Sequence, residues 1–391
     1  MGLFPHEKDP YGKGMGRNMK EQNPELINKR IKDAAQALCE DWAGHNRFSG
    51  VCMVKCKGHT VFSGAYGFAS RAFKIPNKID TKFDTASITK VFTAAAVLQL
   101  VQEKKLKLSD YITQIIDLEG TEISPDVTIE QLLNHTSGIH DDAEEEAGEE
   151  YSQLFVTSPN YAIKECRDFL KNFAYKKPNF EPGSDVRYCN CSYVLLGLAI
   201  EKITGKGYRE YVTENVFRKA GMRNTAFLSM DSINENTAEG YVNLNNEDGE
   251  VVGYKKNIYC FPPMGTPDGG AYTTAEDLNL FLSAMQKKIL LDDTHAKLLL
   301  TPHCPYTREK EWCGIPGLYE RNGYAFEFLF LPDGKEPFCI YKDGQNDGVA
   351  ARFNYYPRED ISVTILSNQD CDVWEMTKQI QREIYSECYS C

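Results

Sequence analysis

Residues 83–101 read FDTASITKVFTAAAVLQLV, and this run is the most informative part of the chain. From residue 91 onward its side chains are apolar on nearly every face, which is typical of a helix buried at the centre of a molecule. Asp84 is a plausible N-cap for this helix. Ser87 and Lys90, which form the only Ser-x-x-Lys in the chain, stand at its beginning. We therefore expect a buried helix that presents a serine and a lysine in its first turn.

The spacing of Ser87 and Lys90 indicates a nucleophilic serine. Residues three apart lie on the same face of a helix, so the lysine is within reach of the hydroxyl. A serine hydroxyl is a weak nucleophile until a neighbouring group takes its proton. The first turn also offers free amide N–H groups and the positive end of the helix dipole, which favour an oxyanion. A solvated surface pair with this spacing is common, but here the lysine adjoins a helix too apolar for the surface.

A second candidate element is the Tyr-x-Asn at Tyr188 and Asn190, about a hundred residues after Ser87. A tyrosine between two ammonium groups, those of Lys90 and of the lysine in the third element below, would have its phenolate form favoured. Such a tyrosine can act as general base towards the serine and later as general acid towards the leaving group. Asn190 can donate to a substrate carbonyl and accept a hydrogen bond from Lys90. A second Tyr-x-Asn, at residues 241–243, is interpreted as structural.

The third candidate element, a Lys-x-Gly at Lys342 and Gly344, ends a predicted strand. A glycine there lets a substrate backbone approach closely, and the lysine supplies the second positive charge. The backbone N–H groups of Gln345 and Ser87 can together form an oxyanion hole. A second Lys-x-Gly, at residues 219–221, is interpreted as the end of a helix.

Taken in order, these three motifs resemble those of class C β-lactamases and their relatives, the penicillin-binding-protein-like esterases and D-peptidases. The resemblance covers about residues 45–385. It includes the segments LNHTSGI at 133–139, EPG at 181–183 and GGAYTTAEDL at 269–278. The resemblance implies acyl-enzyme chemistry with four catalytic residues, namely Ser87, Lys90, Tyr188 and Lys342. Whether Lys90 or Tyr188 takes the proton stays open, because coupled groups titrate as a set.

Strand patterns occur near both ends of the chain and helical patterns in the middle. Helices are predicted at 24–42, 128–134, 162–173, 193–204 and 373–385. Strands are predicted at 51–55, 59–66, 324–331, 338–342, 350–356 and 361–366, the first two forming a hairpin that turns at Lys57-Gly58.

This pattern predicts a mixed α/β fold: an antiparallel β-sheet flanked by helices, with an inserted all-helical domain. The family resemblance implies the same β-lactamase/transpeptidase-like architecture. We expect residues 1–24 to form a loose N-terminal tail. Residues 25–101 and 225–391 are expected to form the sheet domain, and residues 102–224 the helical domain.

Composition restricts the partners and the location. The formal net charge of −12 argues against nucleic acid and against an anionic membrane surface, since both need a basic protein face. No apolar stretch is long enough to span a bilayer, and the first ten residues lack the apolar core of a signal peptide. The thirteen cysteines show no disulfide or zinc spacing. We therefore expect a cytoplasmic protein with free thiols and with neither metal nor cofactor.

Residues 141–150 contain seven acidic side chains. Such a run is usually a solvated loop. The alternative is a lid that recognises a cationic group, such as a substrate amine.

The leading functional hypothesis is a cytoplasmic serine hydrolase that cleaves a small ester or amide through an acyl-enzyme on Ser87. The alternatives are a β-lactamase or penicillin-binding DD-peptidase, whose substrate is a β-lactam or a peptide, and a catalytically silent relative used for binding. The sequence leaves the physiological substrate and the oligomeric state open.

Overall fold

The computed structural model describes residues 24–144, 147–309, 315–332 and 334–389. The strands are β1 Gly50–Cys56, β2 His59–Tyr66, β3 Phe68–Ser70, β4 Ile75–Pro76, β5 Phe83–Asp84, β6 Tyr241–Asn245, β7 Val251–Lys256, β8 Tyr272–Thr273, β9 Pro302–Glu309, β10 Tyr319–Gly323, β11 Glu327–Phe330, β12 Cys339–Asn346, β13 Val349–Tyr356 and β14 Ile361–Ser367. The helices are α1 Pro24–Gly44, α2 Thr89–Gln102, α3 Ile112–Ile115, α4 Ile129–Leu133, α5 Leu154–Thr157, α6 Leu170–Phe173, α7 Asn190–Thr204, α8 Tyr208–Val212, α9 Arg218–Ala220, α10 Ala275–Gln286, α11 Asp293–Leu299 and α12 Val373–Tyr389.

Among the described residues, eight strands form one antiparallel sheet in the order β2-β1-β14-β13-β12-β11-β10-β9. The second and third strands of this order join the two ends of the chain, because β1 pairs with β14 from Gly50↔Ser367 to Cys56↔Ile361. The predicted antiparallel sheet built from both termini is thereby confirmed.

Helices cover both faces of this sheet. Along β1 the side chains alternate, so that Val51 and Met53 join one hydrophobic cluster while Cys52 and Val54 join another. The first cluster contains the apolar residues of α2, α7 and α10, and the second contains those of α1 and α12. All residues of β13 and β14 are buried, as expected for strands covered on both sides. The predicted burial of the helix that follows Ser87 is also confirmed, since α2 is buried from Thr89 to Leu100.

The elements described between residues 102 and 224 are helical, from α3 to α9 with short 3-10 and π-helical turns. Their apolar side chains belong to the same cluster as those of α2 and the sheet. The helical region and one face of the sheet therefore share a hydrophobic cluster, and the division into two domains stays a prediction. None of the helices formed by the described residues has the length and apolar character needed to cross a bilayer.

Several predicted elements differ from the observed ones. The helix expected over 162–173 is broken into 3-10 turns and the four-residue α6. Strand β12 does not end at Lys342-Gly344 but continues to Asn346, and the chain turns at Asp347 and Gly348, the latter with a φ of 71°. The longer strand arises because residues 340–346 pair without interruption with β13. Cross-strand pairing here outweighs the low strand propensity of Asp and Gly. Strands β6, β7, β9 and β10 were not predicted.

Candidate active site

Ser87 lies in a 3-10 turn, Ala86–Ile88, between β5 and α2. Its neighbours in the turn are buried, whereas Ser87 itself is partly exposed. The prediction that Asp84 is the N-cap of the helix is wrong. Asp84 belongs to β5, and its carboxylate Oδ1 accepts a hydrogen bond from the Ala86 N–H at 2.7 Å. This bond stabilises Ala86 in the left-handed region, at φ 42°.

The segment around Ala271 holds this turn in place. The Thr85 hydroxyl donates to the Ala271 carbonyl at 2.7 Å, and the Ala271 N–H donates to the Thr89 hydroxyl at 2.9 Å. Strand β8, which follows directly, pairs with β5. The two strands bring the segment 269–278 beside the serine.

Lys90 is fully buried, and its ammonium group has three acceptors. Its Nζ donates to Ser87 Oγ at 3.0 Å, to Asn190 Oδ1 at 2.7 Å and to the Asp268 carbonyl at 2.7 Å. A protonated lysine has three N–H bonds to donate, so this arrangement matches the charged form.

Tyr188 contacts the same serine from the other side. Its hydroxyl donates to Ser87 Oγ at 2.7 Å. Its ring centroid lies 5.0 Å from the Nζ of Lys90 and 5.1 Å from the Nζ of Lys342. The structure therefore brings together the four predicted catalytic side chains, with the tyrosine between two ammonium groups. Positive charge on both sides favours the phenolate. His135, which was not predicted, packs against the ring at a centroid distance of 4.6 Å.

Asn190 is fixed by the acidic segment. It is the first residue of α7, and Asp141 Oδ2 accepts from its backbone N–H at 2.8 Å and from its Nδ2 at 3.2 Å. The other carboxylate oxygen, Oδ1, accepts from the Cys191 N–H at 2.9 Å. A carboxylate at a helix N-terminus satisfies free amides and interacts favourably with the helix dipole. Asp141 thus orients the amide that accepts from Lys90.

The interpretation of residues 141–150 as a solvated loop is wrong for Asp141, Asp142 and Glu144, which are all buried. Glu144 accepts from Asn179 Nδ2 at 2.7 Å and forms an ion pair with Arg187 at 3.3 Å. These carboxylates are therefore engaged within the protein. The exposed members of the run are the two glutamates at 149–150, and those at 145–146 lie outside the described residues.

One group of potential metal ligands occurs in the part of the chain that the structure describes. Ligand atoms of Asp141, Asp142 and Cys191 lie within 4.8 Å of one another. Both oxygens of Asp141 already accept from backbone amides of α7. Burial raises the pKa of the Cys191 thiol well above its usual value, which disfavours the thiolate that binds metals. The geometry is that of a helix cap.

The third motif lies on β12, beside the turn of Ser87. Lys342 is buried and donates to Glu327 Oε1 at 2.7 Å. A Cβ added to Gly344 would lie 2.1 Å from the Thr85 carbonyl oxygen. The close approach that needs a glycine here is that of the protein's own backbone, rather than the expected approach of a substrate.

A cavity opens beside Ser87. Gln345 and Asn190 line it together with the serine, so two of the three predicted substrate-binding residues face the same space. Its other walls include Tyr151, Phe261 and Met264. The cleft is therefore lined by the nucleophile, by other polar residues and by apolar or aromatic side chains.

Sequence reasoning missed Asp141, Asp268 and Glu327 as neighbours of the motifs. Asp268 acts through its backbone carbonyl, so its side chain carries no signal. Glu327 does carry a sequence signal, because it is the single charged residue in the run YAFEFLF at 324–330. A carboxylate in an otherwise apolar strand needs a partner, and that partner is Lys342.

Comparisons with known proteins agree with this geometry. Residues 34–383 match the sequence model of the family described as Beta-lactamase. Protein flp of Staphylococcus aureus is 25% identical over 328 residues, which are 83% of this chain but only 60% of flp. The crystal structure of a penicillin-binding protein from Bacillus halodurans is 33% identical, with a TM-score of 0.79, over 89% of this chain and 99% of that one.

A D-stereospecific amidohydrolase from Streptomyces sp. has a similar fold at 21% identity, with a TM-score of 0.70 over 92% of this chain and 99% of that one. The family match spans most of the chain and includes all three motifs, so the resemblance to the β-lactamase-related family is confirmed. The chain belongs to the Beta-lactamase family.

Proposed function

We propose that the protein hydrolyses a small ester or amide through an acyl-enzyme on Ser87. The observation that carries this proposal is the pair of hydrogen bonds at the nucleophile. Ser87 Oγ lies 2.7 Å from the Tyr188 hydroxyl and 3.0 Å from Lys90 Nζ, in a partly exposed turn beside a cleft. These are the distances at which a base can take the proton of a serine.

In the acylation step, Tyr188 acts as the base in its phenolate form. It takes the proton as Ser87 Oγ bonds to the substrate carbonyl carbon, and it returns that proton to the leaving group as the C–O or C–N bond breaks. Lys90 remains an ammonium group, since its three donors face three acceptors, and its charge stabilises the phenolate. In deacylation, water gives a proton to Tyr188 as its oxygen bonds to the acyl carbon. The bond between that carbon and Ser87 Oγ then breaks, and Tyr188 passes the proton to Ser87 Oγ.

The negative charge on the carbonyl oxygen needs donors during both steps. We assign this role to the backbone N–H groups of Ser87 and Gln345. The two residues line the same cavity, and Gly344 lets their strand and turn pack together. Asn190 lines the cavity as well, and we assign its side-chain amide to donate a hydrogen bond to a carbonyl of the substrate.

We also propose a cytoplasmic location. The eleven cysteines in the described part of the chain are free, and most are buried. Free thiols in this number suit a reducing compartment.

A second candidate activity is the reaction of a penicillin-binding peptidase or β-lactamase. The 33% identity to the Bacillus halodurans penicillin-binding protein favours it. A catalytically silent role is the weaker candidate, because all four reactive side chains lie together.

A substrate panel tests these candidates. The purified protein is assayed with a short-chain nitrophenyl ester, a D-alanyl amide and a chromogenic cephalosporin, and Ser87→Ala is the control. The proposal expects turnover of the ester or the amide that Ser87→Ala abolishes. Turnover of the cephalosporin with neither of the others identifies the second candidate. No turnover, or turnover that persists in Ser87→Ala, refutes the proposed function.

A further inference from the structure

Glu327 places a second carboxylate beside the catalytic residues. Its Oε1 lies 2.7 Å from Lys342 Nζ, and that nitrogen lies 5.1 Å from the ring centroid of Tyr188. Only 1% of the Lys342 side chain and 16% of the Glu327 side chain are exposed. The lysine of the third motif is therefore part of a buried ion pair.

The other acidic groups nearby have partners of their own. Asp343 accepts from Trp374 Nε1 at 2.6 Å and from Arg352 at 3.2 Å. Glu320 accepts from the hydroxyl of Tyr341. The pairing with Lys342 is thus specific to Glu327.

The second oxygen of Glu327, Oε2, is buried and has no hydrogen-bond donor among the described residues. An incoming carboxylate that approaches Lys342 must displace Glu327 or lie against this oxygen. Two carboxylates in a buried site repel each other strongly. Lys342 is buried and is not among the residues that line the cavity of Ser87, Asn190 and Gln345.

We infer that Glu327 is a specificity-determining residue, which occupies Lys342 and directs the enzyme towards esters and amides whose leaving group lacks a carboxylate. This inference rests on the proposed function and narrows its substrate class. Specificity of this kind arises from a repulsive element built against the wrong substrate. The penicillins and peptides with a free C-terminal carboxylate are the compounds selected against.

Two matched esters test the inference. Both carry the same acyl group, and their phenol leaving groups bear either a 3-carboxylate or a 3-carbamoyl group. The measured quantity is the ratio of kcat/KM for the two esters, so that the shared acylation chemistry cancels. The native enzyme is expected to prefer the carbamoyl ester. Glu327→Gln, which keeps an acceptor for Lys342 but removes the charge, is expected to shift the ratio towards the carboxylate ester by about 10-fold.

The control variant is Glu276→Gln. Glu276 pairs with Lys55 at 2.7 Å, so the variant removes the same charge from a more exposed ion pair outside the cavity of Ser87. The ratio of kcat/KM for the two esters in Glu276→Gln should equal that of the native enzyme. Equal use of both esters by the native enzyme, or an unchanged ratio in Glu327→Gln, overturns the inference and leaves the proposed function standing. Hydrolysis of neither ester overturns both.

The pH dependence of the native enzyme gives a second readout that needs no variant. Burial raises the pKa of Glu327 to about 7, although Lys342 acts in the opposite direction. The ionisable groups that interact with Glu327 are Lys342, Asp343, Glu320, Arg352, Tyr341 and Tyr193. Protonation of Glu327 below pH 7 should shift the ratio towards the carboxylate ester, as Glu327→Gln does. A ratio that is constant from pH 5.5 to 8.5 contradicts the inference.

Discussion

At the scale of single residues, the hydroxyl of Tyr188 is the group on which acylation depends most directly. Tyr188→Phe removes the base but keeps the ring between the two lysines, so the fold should be preserved. We expect acylation of Ser87 to slow by about 10²–10⁴-fold, the range typical of general base catalysis. Single-turnover kinetics with a nitrophenyl ester measure the rate.

The matched control is Tyr241→Phe, in the second Tyr-x-Asn of the chain. The Tyr241 hydroxyl contacts Glu239 and the backbone of Arg71, not the serine. This variant should acylate at the native rate. An unimpaired Tyr188→Phe would show that another group, such as Lys90, takes the proton.

Asp84 gives a prediction about stability. Burial raises its pKa to about 6, so the folded protein disfavours the charged carboxylate relative to the unfolded chain. The stability contributed by the neutral acid is present below about pH 4 and is lost as the pH rises through 6. Asp84→Asn keeps the acceptor for the Ala86 N–H and removes the charge. We expect it to raise the free energy of unfolding at pH 8 by about 1–3 kcal/mol, and to have little effect at pH 4.

Urea denaturation of both proteins at the two pH values measures this difference. An Asp84→Asn variant that is less stable than the native protein at pH 8 would show that the charged carboxylate is needed by the turn.

The reactive side chains could be predicted from the sequence because chemistry restricts them to a few residue types. Ser87, Lys90 and Tyr188 are examples. The contacts that hold these side chains in place could not be predicted, because they use groups without a sequence signature. The Asp268 carbonyl can belong to any residue type, and Asp141 appeared only as one member of an acidic run.

At the scale of elements, the contact between β12 and the turn of Ser87 gives a third prediction. In Gly344→Ala, the added Cβ would lie 2.1 Å from the Thr85 carbonyl oxygen and 2.9 Å from the Ser87 backbone nitrogen. The strand must then move away from the turn. We expect a loss of about 1–3 kcal/mol in the free energy of unfolding, together with a lower kcat.

Gly253→Ala in β7 is the control, because its Cβ would make an ordinary contact of 3.5 Å with Leu244. It should change kcat little. Native stability and kcat in Gly344→Ala would show that the turn and the strand are not tightly packed.

The type of element was predictable wherever periodicity was strong, as in α1, α2 and the hairpin of β1 and β2. The prediction was wrong where tertiary contacts decide. Residues 343–346 contain Asp and Gly, yet they continue β12 because β13 offers partners along its full length. Residues 162–173 have a helical pattern, but the chain there packs against α7 in short turns instead.

At the scale of the whole molecule, the shared core predicts one cooperative unfolding transition. Side chains of α4 and α7 lie in the same cluster as those of α2 and Leu366 of β14, so the helical region has no core separate from that of the sheet. Circular dichroism at 222 nm and tryptophan fluorescence should give the same midpoint in urea. Two separated midpoints would show that residues 102–224 form an independent domain.

The antiparallel sheet and the helical middle could be inferred because strand patterns occur only near the two ends of the chain. The order of the strands in the sheet could not be inferred. An alternating pattern shows which face of a strand is buried but not which other strand pairs with it. The packing of β12 against the turn of Ser87, which brings Lys342 and Ser87 to the same tyrosine, became clear only from the folded chain.

The central claim is that Ser87 is the nucleophile, and covalent labelling tests it most directly. The protein is incubated with a fluorophosphonate, digested and analysed by mass spectrometry. We expect one adduct on the peptide that contains Ser87, slower formation of that adduct in Tyr188→Phe, and none in Ser87→Ala. An adduct on another residue, or none on a native protein that hydrolyses esters, would contradict the account.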